Sequence, residues 1–246
     1  MNNTLALLTG HHPPVPYVSK HGLTKGLPQP DRLMGIELEI ENFSVEHEQR
    51  FGGFQFTNDG SLRSSDNGIG IEAISNVIPI QSAPALLTAF FNKFKITESN
   101  YSERCSTHVH VNVLDMTPDQ LATLGLLYQT VERLLFEFVE RSRRDSIFCV
   151  PWYSSGLTYN YVESLIKNPK STRNWQKYSA LNLLPVYGQG SIEFRHLEGT
   201  CDVARITRWL GLIGKLFDAA MTKTVEQVQD ELCTMNTVSN LSLIHI

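Results

Sequence analysis

The segment STHVHVN, residues 106–112, alternates so strictly that it constrains the fold more than any other stretch of the chain. Successive side chains of an extended strand point to opposite faces. Thr107, Val109, Val111 and Val113 therefore share one face, and His108, His110 and Asn112 the other. The same asymmetry recurs in GIELEIE, where Ile36, Leu38 and Ile40 oppose Glu37, Glu39 and Glu41, and in SIEFR, where Ile192 and Phe194 oppose Glu193 and Arg195. A fourth segment sets Glu72 between Ile71 and Ala73. Strands apolar on one side only fit an antiparallel sheet with one face against the core.

Helical signals supply the covering layer. Thr117-Pro118-Asp119-Gln120 reads as an N-cap, a proline at the first helical position and a glutamine closing a capping box. Leu121, Leu124, Leu127, Tyr128, Val131, Leu134, Leu135 and Phe138 then recur every three or four residues, which predicts one long helix to about Arg143. Ser82 is expected to cap a helix through Phe94, and Asp202 another carrying Ile206, Leu210, Ile213 and Phe217. Asn58-Asp59-Gly60-Ser61 carries the Asp-Gly signal of a hairpin turn. Strands and helices do not alternate regularly, so the expected class is α+β, with a mainly antiparallel sheet, a polar face and helices on the other face. The proline-scattered residues 1–31 read as a disordered or extended leader, and 32–240 as one folded domain. LSLIHI, residues 241–246, looks like a translated sequencing adapter and is expected to be non-native.

The net charge of −4 gives no field that would draw nucleic acid or an anionic membrane. No apolar run approaches the roughly 18 residues of a membrane span, and MNNTLALLTGHHPP has no basic stretch leading an apolar core, so the cytoplasm is the expected compartment. Cys105, Cys149, Cys201 and Cys233 show no C-x-x-C pairing and read as reduced, mostly packed thiols.

An ordinary solvated sheet face mixes threonine, lysine and both charges, whereas these faces collect carboxylates and imidazoles with no lysine beside the glutamates. Cation binding would relieve the repulsion. Several carboxylates with one imidazole suit Mg²⁺ or Mn²⁺, while two histidines with a carboxylate would suit zinc. The cupin arrangement, in which H-x-H is soon followed by Glu, is missing, since Val111-Asn112-Val113-Leu114-Asp115 follows.

The ordered series GIELEIE, NDGSL, the strand of Glu72, THVHVN, ERSRRDSIFCVP, KYSALNL and SIEFRHLEGT, from about Met34 to Leu216, resembles the amidoligase family often encoded by phages. That family is a distant relative of glutamine synthetase and glutamate-cysteine ligase. The resemblance implies their fold and an ATP- and Mg²⁺-dependent carboxylate-amine ligase. It would form an amide through an acyl phosphate, from a small-molecule or peptide carboxylate and an amine. It further implies Glu37, Glu39, Glu72, His108 and Glu193 as metal ligands, His110 and Asn112 near the nucleotide, and Arg195 on the transferring phosphate. Glutamine synthetases carry an arginine two residues before that glutamate, where Ser191 stands here, so either another cation does that work or the phosphate grip differs. Arg141, Arg143 and Arg144 are the candidates, Arg141 foremost, though cations at the end of the long helix equally fit its dipole. Asn182, four residues after Tyr178, either orients substrate or ends a helix. The alternatives are a zinc hydrolase built on His108 and His110, and an inactive binding module of the same fold. Oligomeric state is left open.

Overall fold

The computed structural model describes residues 4–12, 32–43, 45, 50–63, 69–155 and 159–234. In chain order the elements are α1 (Leu5–Thr9), β1 (Leu33–Ile40), β2 (Arg50–Phe51), β3 (Phe54–Arg63), β4 (Ile69–Ser75), β5 (Ile78–Pro79), α2 (Ala83–Phe94), β6 (Ser106–Asn112), α3 (Pro118–Phe138) and α4 (Arg141–Arg144). There follow α5 (Tyr159–Lys167), β7 (Leu181–Asn182), α6 (Pro185–Gln189), β8 (Ser191–Glu198), α7 (Val203–Thr222) and α8 (Val225–Thr234). The strands form one sheet in the order β2-β3-β4-β1-β6-β8-β7, with β5 also on β1. Every named strand pair is antiparallel, so the fold is α+β as the patterning requires.

Alternation decides which face is covered. Ile36, Leu38, Val109, Val111, Ile192 and Phe194 are all 0% exposed and join one core with Leu87 and Phe90 of α2, Leu124 and Leu127 of α3, and Ile213 and Phe217 of α7. The opposite face keeps the acids and imidazoles. No helix among the described residues is long and apolar enough to cross a membrane.

The helix starts follow their capping chemistry. Thr117 Oγ1 accepts from the Gln120 N–H at 3.2 Å, Gln120 Oε1 accepts from the Thr117 N–H at 2.9 Å, and Asp202 accepts from the Arg205 N–H at 3.0 Å. Ser82 makes no side-chain cap, because a 3₁₀ turn at residues 80–82 already feeds the chain into α2. The long helix stops at Phe138, earlier than its periodicity suggests. Val139 is extended and buried, and the next N–H, of Glu140, is claimed by Glu198 of β8 at 2.9 Å.

The turn expected at 58–61 does not form. β3 runs through it, and the register against β4 jumps from Asp59↔Gly70 to Arg63↔Ile69, so the Asp-Gly pair makes a bulge. Asp59 still bonds locally, accepting from the Ser61 N–H and hydroxyl, both at 2.7 Å. Within the stretch read as a leader, α1 docks on the body: Leu5 is 0% exposed and its N–H donates to Met116 O at 2.8 Å. Residues 13–31 and 241–246 lie outside the described residues.

Candidate active site

Cross-strand register turns four separate polar stripes into one surface. Glu37 of β1 stands opposite His108 of β6, Glu39 opposite Glu72 of β4, and His110 opposite Glu193 of β8, which in turn faces Asn182 of β7. These side chains, with Arg195 and Asp59, line a cavity of about 440 Å³ on the uncovered face of the sheet.

Glu37 is the hub. Its carboxylate lies 3.5 Å from His108 Nδ1 and 3.1 Å from His110 Nε2. Burial opposes its charge, yet the hydrogen bonds to His108 and His110 outweigh that and hold Glu37 far below the usual carboxylate range. His110 is the reciprocal case: burial disfavours its cation, but the Glu37 carboxylate raises its pKa above the ordinary value. Glu72 has no such partner. Burial first, then the negative charges of Glu37, Glu39 and Asp59, push it up to about 8.

Side chains around the cavity are fixed by further bonds. Ser106 donates to Glu39 at 2.5 Å and meets His108 Nε2 at 2.7 Å, so both ends of the His108 ring are engaged. Asn182 donates to Glu193 Oε2 at 2.7 Å and accepts from the Leu184 N–H, which makes it a strand residue orienting Glu193 and not a helix terminus. Arg195 pairs with Glu193, donates through Nε to Phe148 O at 2.9 Å and lies over the Tyr178 ring.

Three groupings place one ligand atom per residue within 4.8 Å of one another: Glu37-Glu72-His108, Glu37-His110-Glu193 and Glu39-Asp59-Glu72. Their donors are carboxylate oxygens with at most one imidazole each, which suits a hard divalent cation. The two histidines fall in different groupings that share Glu37, and Glu193 Oε1 also lies 3.4 Å from His108 Nδ1 and 4.0 Å from His110 Nε2. A cation there would offset the charges of Glu37, Glu39 and Asp59 that, after burial, push the Glu72 carboxyl up.

Seven expected site residues, Glu37, Glu39, Glu72, His108, His110, Glu193 and Arg195, thus meet in one cavity. Asn112 and Arg141 do not. Asn112 borders an adjoining, more apolar hollow of about 270 Å³ that shares Glu37 and His110, and its carboxamide is turned to Asp115 and the Leu114 N–H. Arg141 borders a shallow hollow that meets the cavity at Arg104 and Phe148. Arg143 is buried against β8 carbonyls, and Arg144 bonds Phe136 O and Glu137, so neither faces the cavity. Ser191 instead meets His110 Nδ1 at 3.2 Å.

Two cations at the cavity, Arg104 and Lys177, escape a reading by periodicity, because both lie in loops beside strands. Ser106 was legible as the alternate position before His108. Cys105, read as a packed thiol, is wholly buried, and burial pushes its thiol up to about 11.

A family model described as "Putative amidoligase enzyme" matches residues 31–217, a span holding every residue of this cavity. Comparison with curated proteins finds no match.

Proposed function

The chain belongs to the amidoligase family, and on that premise we propose that this ligase-type enzyme joins a carboxylate to an amine with ATP as phosphoryl donor and Mg²⁺ or Mn²⁺ at the acidic floor. The observation that carries the proposal is the gathering of Glu37, Glu39, Glu72, His108 and Glu193 on one floor with Arg195 at its edge. When bound, the divalent ion would neutralise charge on phosphate oxygens.

The rest of the work falls to the chain. Glu37, Glu39, Glu72, His108 and Glu193 would hold the ion, and Asn182 and Ser106 keep Glu193, Glu39 and His108 from turning away. Arg195 has donors left after bonding Glu193 and Phe148, and these would meet the transferring phosphoryl group. A carboxylate oxygen of the acid takes the γ-phosphoryl group and ADP leaves. The amine nitrogen then attacks the acyl carbon, the acyl–phosphate C–O bond breaks, and inorganic phosphate departs carrying the proton that the nitrogen gives up. His110, on the wall shared with the apolar hollow, would contact the nucleotide. Asn112 would then act only through that hollow, and Arg141 only through the outer one. Arg104 and Lys177 have no carboxylate partner among the described residues, and they are better placed than Arg141 to grip phosphate in place of the arginine absent at Ser191.

The catalytic unit is proposed to run from residue 32 to 240, and to work in the cytoplasm, a host's if the chain is phage-encoded. ADP and phosphate should be released when an acid and an amine are added with Mg²⁺ and ATP, and Glu193→Ala should abolish that release. Metal-dependent ATP binding that survives the loss of both Glu37 and Glu193 would overturn the proposal. Stoichiometric zinc retained through purification would favour a hydrolase.

A further inference from the structure

Consecutive carbonyls of a straight strand point to opposite neighbours, so one side chain does not ordinarily reach two in a row. β8 departs from this at Arg195 and His196. Its register against β6 passes from Phe194↔Val109 to Leu197↔Thr107, which leaves Arg195 and His196 together opposite His108. The extra residue is a β-bulge, a device that bends a strand and re-aims a side chain. Arg195 faces the cavity, whereas His196 and Leu197 are both 0% exposed.

On its other flank β8 runs out of partner. β7 ends its pairing at Leu181↔Phe194 and Asn182↔Glu193, and the last bond on that side runs from the Arg195 N–H to Ala180 O at 2.9 Å. Arg143 takes the place of the missing strand. Its Nη2 donates to Arg195 O at 2.7 Å and its Nε to His196 O at 3.1 Å. The side chain is buried, with no carboxylate partner among the described residues, so these carbonyls are what offset its charge.

The same segment holds the other end of Arg195. Phe148, shortly after α4, accepts from Arg195 Nε. Buried Glu132 of α3 fastens the segment further along, accepting from the Trp152 N–H at 2.6 Å, the Tyr153 N–H at 3.0 Å and the Tyr128 hydroxyl at 2.6 Å. That hydroxyl also meets His196 Nε2 at 2.9 Å.

We infer that Arg143 is a positioning residue: it fixes the β8 bulge and thereby aims Arg195 into the cavity. The inference rests on the ligase reading only for what Arg195 then does. A planar fork can serve two carbonyls at once, and the single ammonium of lysine cannot reproduce that geometry.

The side-chain Nε–H of Arg195, followed by ¹⁵N NMR hydrogen exchange, reports the arrangement without any ligand. In the unmodified chain it should exchange at least about tenfold more slowly than the Nε–H of exposed Arg208. Arg143→Lys should speed the Arg195 exchange about tenfold while the amides of Leu38 and Val111 keep their protection. The same variant should weaken binding of the non-hydrolysable analogue Mg·AMPPNP about tenfold by calorimetry, and Arg143→Lys with Arg195→Gln should bind no more weakly than Arg195→Gln alone. Exchange at Arg195 as fast as at Arg208 in the unmodified chain overturns the inference, even if Arg143→Lys fails to fold. So does unchanged exchange in that variant, or a loss of protection across the whole sheet. No binding of Mg·AMPPNP to the unmodified chain would instead count against the ligase reading, with the exchange result still deciding the role of Arg143.

Discussion

Replacing Glu72 by glutamine should stabilise the protein without metal, by an amount that grows with pH. In the fold this carboxyl is pushed up to about 8, against an ordinary value of 4.5, by burial and by Glu37, Glu39 and Asp59. The folded-state pKa is raised, so between these values the unfolded chain has released the proton while the fold retains it. Stability therefore falls as pH rises through that window. The gap between about 8 and 4.5 corresponds to roughly 5 kcal/mol at about 1.36 kcal/mol per decade. Water at the mouth of the cavity, where Glu72 is half-buried, brings this to roughly 2 to 3 kcal/mol. At about 2 to 4 °C per kcal/mol for a chain of this size, Glu72→Gln should melt roughly 5 to 10 °C higher than the unmodified protein at pH 8.5 in EDTA. The two should melt together near pH 5. Millimolar Mg²⁺ at pH 8.5 should then raise the melting point of the unmodified protein more than that of Glu72→Gln, because the ion takes the place of the proton. A variant no more stable at pH 8.5 in EDTA, or a gain of the same size at pH 5, would refute the reasoning.

The two histidines should separate in their effects: His108→Ala should raise the Mg²⁺ concentration needed for activity, and His110→Ala chiefly the ATP concentration, as titrations of each would show. Gly190 has φ +69, and a Cβ there would come within 2.5 Å of Leu114 Cγ, so Gly190→Ala should cost about 1 to 3 kcal/mol in urea denaturation. At pH 7 a thiol reagent should modify exposed Cys233 first and leave Cys105 and Cys149 untouched, since burial pushes both thiols up to about 11; mass spectrometry of the labelled protein checks the order. Blocking Cys233 should not alter activity.

The alternation of GIELEIE, THVHVN and SIEFR was enough to sort apolar from polar faces, because the pleat has a period of two regardless of context. Local chemistry likewise determined the start of α3 at Thr117 and of α7 at Asp202, where a side chain bonds a backbone N–H three residues on. Family resemblance on the same motifs led to the amidoligases, and the match over residues 31–217 agrees. Beyond these points the outcome depended on partners distant in the chain. Asp-Gly at 59–60 is compatible with a turn or a bulge, and pairing with β4 selected the bulge. Helical periodicity continues past Phe138, but Glu198, about sixty residues downstream, takes the Glu140 N–H and ends the helix. Nothing local distinguishes Arg141, Arg143 and Arg144, yet only Arg143 reaches the open flank of β8. The strand order β4-β1-β6-β8 is also what sets Glu37 between His108 and His110 and leaves Glu72 among like charges. Periodicity assigns a side chain to a face, but cross-strand register decides which charges meet there, and register is a property of the assembled sheet.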